Sequence, residues 1–116
     1  SKNSEYKVLL KNIDTGSKMF YEDCEYGSLS GKDICKNNRT ISGDKTEITY
    51  TIPISALTQY GFLTGNSSGE VVNPKTNKPL NENCTVTVIY NKNNREYTIT
   101  KATTISVSGT SVSCFD

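Results

Sequence analysis

The feature that most constrains the fold is a helical stripe at the start of the chain. Tyr6, Leu9, Leu10, Ile13 and Phe20 recur at steps of one, three, four or seven residues, which places them along one side of a helix from Lys2 to about Asp23. The residues that follow form short segments rich in Thr, Val, Ile and Tyr, the composition of strands. A helix with a single apolar stripe must bury it, and a sheet is the partner that the rest of the chain offers. The expected fold class is therefore α+β: an N-terminal amphipathic helix packed on an antiparallel sheet of four or five strands. Ser1 and Ser4 are candidate N-caps, but with no element ahead of them the natural helix is expected to start further upstream. Gly16 and Ser17 weaken its interior, which lets it bend or lets another chain come close.

A chain of 116 residues makes one domain, 1–116, that buries about two-thirds of the surface exposed by its unfolded form. Only 34% of the residues are hydrophobic, while Ser, Thr and Asn supply 40 of the 116, so the core is small and the sheet surface hydroxyl-rich. Thirteen basic and twelve acidic residues are interspersed, for a net charge of +1, which leaves no basic footprint for nucleic acid. The 116 residues contain no run of about 18 apolar residues to span a membrane and no secretory signal, and the expected upstream segment leaves room for both.

Four cysteines in a small polar domain favour a disulfide framework and an oxidising, extracytoplasmic setting. Of the three pairings, Cys24–Cys35 and Cys84–Cys114 are favoured: the first closes a local loop carrying Gly27 and Gly31, and the second pins the C-terminal strand to an earlier one. Reduced buried thiols are the alternative, and zinc is disfavoured by the absence of His and of CxxC spacing.

From Glu47 the period becomes two, with Ile48, Tyr50, Ile52 and Ile54 alternating with polar residues until Pro53 stops the ladder. Ser55 is the expected N-cap of a short helix, Ala56 to Tyr60, closed by a left-handed Gly61, with Phe62 and Leu63 plugging the core. Asn73-Pro74-Lys75-Thr76-Asn77 is a turn, and Cys84, Val86, Val88 and Tyr90 share a strand face. Asn91 to Arg95 loop back to Tyr97 and Ile99. A final strand holding Ile105 and Val107 changes parity before Val112 and Cys114, which predicts a bulge or break at Gly109.

With no histidine, the commonest general base and metal ligand is missing, and Ser-His-Asp and Cys-His catalysis are excluded. The run Gly27 to Asp33 is one residue short of a phosphate loop and has Asp where Ser or Thr must hold magnesium. Glu22, Asp23 and Glu25 read as a solvated helix end rather than a calcium site, although carboxylates there oppose the helix dipole and call for a compensating cation or a different helix boundary. Tyr50, Tyr90 and Tyr97 are expected on core faces with hydroxyls at the rim, whereas Tyr21 and Tyr26 are candidates for partner contact. The expectation is a non-enzyme without cofactor or metal.

The run ITYTIPISALTQYGFLTG, then NPKTNKPL, then CTVTVIY resembles the extracellular heads of type IV pilin-like proteins and pseudopilins of Gram-positive bacteria. The matching residues are Ile54, Ser55, Leu57, Gly61, Phe62, Leu63, Asn73, Pro74 and Thr76, within a stretch from about Tyr50 to Tyr97. The resemblance implies a long N-terminal helix whose apolar upstream half anchors the precursor in the membrane and later joins other pilin subunits in a filament core. The processing Gly and the fifth-position Glu would lie upstream of Ser1, and Glu5 is not that residue, because no apolar segment surrounds it. By position, Cys84–Cys114 parallels the disulfide loop that such heads present to partners. The expected function is a structural subunit of a pilus or pseudopilus at the cell surface, serving adhesion or secretion, with a host or surface ligand as a further partner. The alternative is a β-rich binding module of a cell-wall adhesin, in which Lys and Asn form an internal amide crosslink.

Overall fold

The computed structural model describes residues Ser1–Asp116 and has the expected α+β character. Helix α1 spans Lys2–Tyr26 and is followed by a one-turn helix α2, Asp33–Lys36. Strands β1 (Arg39–Ile41) and β2 (Glu47–Pro53), helix α3 (Ile54–Gln59) and a two-residue hairpin β3–β4 (Val72–Asn73, Lys78–Pro79) come next. Strands β5 (Thr85–Asn91) and β6 (Glu96–Lys101) complete the main sheet, and β7 (Thr104–Val107) and β8 (Thr110–Ser113) form a separate hairpin. The main sheet is antiparallel, in the order β1-β2-β5-β6, so both central strands are the two whose alternation the sequence displays.

Ser1 accepts the Ser4 amide at 3.2 Å and caps α1. At the other end α1 runs three residues beyond the expected Asp23, because Gly27 rather than the acidic cluster stops it. The Gly27 amide bonds to the Asp23 carbonyl at 2.9 Å, and the Asp23 carboxylate accepts the Ser28 amide and hydroxyl. Of the expected stripe, Tyr6, Ile13 and Phe20 are buried, and Leu9 and Leu10 are partly buried against the core. Gly16 does provide a close approach, but to the chain itself: a Cβ there would collide with the Phe62 carbonyl oxygen.

The buried face of the sheet carries Ile48, Tyr50 and Ile52 from β2 and Val86 and Val88 from β5. Register places Tyr50 opposite Val88 and Ile52 opposite Val86, so the two apolar rows stack side by side beneath α1. Phe20 meets Tyr50 and Phe62 edge to face, and Tyr21 meets Tyr50 and Tyr97 in the same way.

Three expectations are corrected, and one element is added. The added element is Arg39–Ile41, an edge strand whose three residues are all exposed, so no alternation marks it. Helix α3 begins at Ile54 after Pro53, and Ser55 lies inside it instead of capping it. The first amides of α3, those of Ile54 and Ser55, are taken by the carbonyls of Cys84 and Glu82 at 2.8 and 3.1 Å, which makes a side-chain cap unnecessary. The single final strand is instead a hairpin: the strand breaks at Gly109, the second of the two expected alternatives, and the chain reverses completely at Ser108-Gly109, with φ of 50° and 80°. Tyr21 is fully buried and cannot meet a partner. Gly61 adopts the expected left-handed conformation, φ 80°. Leu63 is buried and Phe62 partly so.

Candidate functional site

Both disulfides form as favoured, Cys24–Cys35 and Cys84–Cys114. The first fastens the last turn of α1 to α2 and so fixes the intervening loop, with Leu29 turned inward as its anchor. The second joins the residue before β5 to the residue after β8, and it holds the C-terminal hairpin against the sheet.

Beside the first disulfide, Glu25 accepts two guanidinium bonds from Arg39, at 2.8 and 3.1 Å, and the hydroxyl of Tyr50 at 2.5 Å. Burial pushes the Glu25 carboxyl up, but the Arg39 and Tyr50 hydrogen bonds outweigh it and hold the group below its ordinary value. Arg39 is thus the cation that an acidic helix end required, supplied by an edge strand fourteen residues away. Asp23 is occupied by Ser28. Two of the three carboxylates weighed as calcium ligands are therefore held by donors of the protein itself.

At the opposite end of the molecule the Asp116 amide donates to the Tyr6 hydroxyl at 3.1 Å. Lys75, from the Asn73 turn, pairs with Asp116 at 2.6 Å and lies 4.7 Å from the Tyr6 ring centroid. The C-terminus, the β3–β4 turn and the first turns of α1 are clasped together here. A pocket beside this clasp is lined by Asn73, Thr76, Thr103, Ser113 and Asp116. Asn73 is a buried polar residue whose side-chain oxygen accepts the Lys75 amide at 2.9 Å.

The candidate contact residues separate cleanly. Tyr21 lies among Tyr50, Tyr90 and Tyr97 with its hydroxyl unpartnered. Tyr26 is 76% exposed at the end of α1. It lines a groove with Met19, Glu22, Asp23, Gly27 and Phe62, of about 340 Å³. A second groove of about 270 Å³ continues along α1 and shares Met19 and Phe62 with the first. Sequence reasoning missed Met19 and Val8 as surface features, because each falls outside the buried stripe with no exposed apolar neighbour in sequence. Arg39, Lys75 and Asp116 were also missed, since their partners are distant in the chain.

For the adhesin reading, the two lysines in salt bridges pair with carboxylates, Lys101 with Asp14 at 2.5 Å and Lys75 with Asp116. No helix is long and apolar enough to cross a membrane. Disulfides fit an oxidising compartment. Comparison with protein-family models, with curated proteins and with solved structures finds no match.

Proposed function

We propose that this chain is the exposed head of a type IV pilin-like or pseudopilin filament subunit, and that its work is structural. The observation that carries the reading is the uneven burial of α1. From Ile13 to Cys24 one face of the helix is embedded in the aromatic core, whereas Ser1 to Glu5 are exposed on every side and Tyr6 is buried by the C-terminal clasp, outside the main core cluster. A helix turn exposed all round gains little from tertiary packing, and continuation or a partner would add to what the Ser1 cap alone supplies. A head of this kind supplies both: its helix extends into an apolar segment, and that segment packs with other copies.

The rest of the molecule agrees with a head displayed outside the cell. Two disulfides restrain a small core, and the Cys24–Cys35 loop and the β7–β8 hairpin that Cys84–Cys114 secures offer surfaces for contact with neighbours or a surface ligand. Adhesion and secretion are both roles that such a filament could serve.

The test is to shear the surface structures from cells of the source organism and probe the high-molecular-weight fraction with an antibody to this head. The reading predicts the head in filaments that sediment and that dissociate in detergent. Recovery of the head only as free monomer, or only covalently bound to cell wall, would overturn it.

A further inference from the structure

Four large hydrophobic side chains stand exposed on this protein, and three of them, Val8, Met19 and Tyr26, lie on α1. Their spacings are eleven and seven residues. At about 100° per residue, Met19 lies about 20° from Val8 and Tyr26 returns to the angle of Val8. They form one nearly straight line about 120° around the helix from the buried stripe centred near Ile13 and Phe20. Along the lower part of this line run the two grooves that meet at Met19 and Phe62.

The same helix is divided by charge. Its upstream part carries Lys2, Lys7, Lys11 and Lys18 against Glu5 and Asp14, and Asp14 is taken by Lys101. Its last two turns carry Glu22, Asp23 and Glu25, of which Glu22 borders the groove. Lys18 is turned onto the Tyr97 ring, 4.8 Å from its centroid, which leaves Lys11 as the cation nearest the line.

We infer that the Met19–Tyr26 groove receives the Val8 end of α1 from a second copy of this chain, running parallel and displaced by eleven residues. The direction rests on the filament reading, because subunits released from one membrane share an orientation. A displacement of about 16 Å along the axis sets Val8 of the second copy beside Met19, and Lys11 of the second copy beside Glu22. Apolar then meets apolar and basic meets acidic in one register. The contact is heterologous: each copy uses its upstream end on one neighbour and offers its groove to the next, so it propagates instead of closing. The rows of charge also disfavour a register without displacement, which would set Lys11 against Lys11 and Glu22 against Glu22.

The test uses Val8→Cys and Met19→Cys variants of the 116-residue chain, with the native disulfides kept oxidised and a short-reach bismaleimide as crosslinker. The mixture of the two variants should give a covalent dimer several-fold above either variant alone, with the link between positions 8 and 19 identified by peptide mapping. Adding Glu22→Lys to the Met19→Cys variant should abolish the product, and Lys11→Glu on the Val8→Cys variant should restore it. No mixed product would overturn the contact. Crosslinking of Met19→Cys with itself at equal yield would also overturn it, because an antiparallel pairing of the same line brings the two Met19 positions within about one turn. A filament-forming protein without the mixed product loses this contact alone. A mixed product from a protein absent from sheared filaments keeps the contact and overturns the filament reading.

Discussion

The hydroxyl of Tyr50 donates to Glu25 at 2.5 Å, joining the middle of a central strand to the last turn of the long helix. Tyr50 is fully buried, so this one bond satisfies its only polar group and also orients a carboxylate that Arg39 grips from the other side. Tyr50→Phe should destabilise the fold by about 2 kcal/mol, the scale of a bond to a charged group, in urea denaturation at neutral pH.

That loss should depend on pH. Burial raises the Glu25 carboxyl but the bonds from Arg39 and Tyr50 lower it further, so its folded value lies below the unfolded one. A depressed carboxylate contributes stability that is present above the unfolded value of about 4.3 and is lost as pH falls through the folded value. The gap between wild type and Tyr50→Phe should therefore be full at about pH 6 and shrink below about pH 4. A gap constant down to the onset of acid unfolding would contradict the pairing.

Tyr21 makes the opposite prediction. Its hydroxyl is buried without a partner, so Tyr21→Phe removes a desolvated polar group and keeps the ring that packs on Tyr50 and Tyr97. The variant should match or exceed wild-type stability by up to about 1 kcal/mol. Above about pH 10 the tyrosines act together. Burial raises the phenols of Tyr21 and Tyr50 above the usual range and that of Tyr97 to about 12. Stability from a raised phenol is complete below the unfolded value of about 10 and is lost as pH rises past it. Near-ultraviolet phenolate absorbance should thus show a fraction of the tyrosines ionising only as the fold opens.

Gly16→Ala tests the close approach of α1 to the segment after α3. Alanine is the better helix former by about 1 kcal/mol, but its Cβ would collide with the Phe62 carbonyl, a backbone atom with little freedom to retreat. The net effect should be a loss of about 1–2 kcal/mol. Gly43→Ala, where the added Cβ meets open space, is the control and should stay within about 0.5 kcal/mol of wild type.

The two disulfides should differ in weight. Their sequence separations are 11 and 30 residues, for which loop entropy gives about 3 and about 4 kcal/mol. Replacing Cys84 and Cys114 by Ala should lower the melting temperature more than replacing Cys24 and Cys35, as read by calorimetry.

The sequence revealed the elements that bury one face and obscured those that do not. The α1 stripe, the alternation of β2 and β5 and the Gly61 stop all leave periodic or steric signatures, and each is found where it was read. Strand β1 is exposed throughout and so has no pattern to read. Helix α3 lacks a side-chain cap because carbonyls from the approach to β5 serve its amides, a contact visible only after folding. Tyr21 was misplaced because it sits beside an acidic, loop-like run. Its position one residue after Phe20 widens the buried stripe to meet Tyr90 on the central strand β5 and Tyr97 on the edge strand β6. The Glu25–Arg39 and Tyr6–Asp116 links join residues 14 and 110 positions apart, and no local spacing encodes them.

The central claim is that this head belongs to a membrane-anchored filament subunit, and reading the gene through the forty or so codons upstream of Ser1 tests it most directly. The account predicts about twenty apolar residues continuing α1, preceded by a short basic leader, with Gly at the junction and Glu at the fifth mature position. An ordinary cleavable signal peptide or a further β domain in that stretch would contradict it.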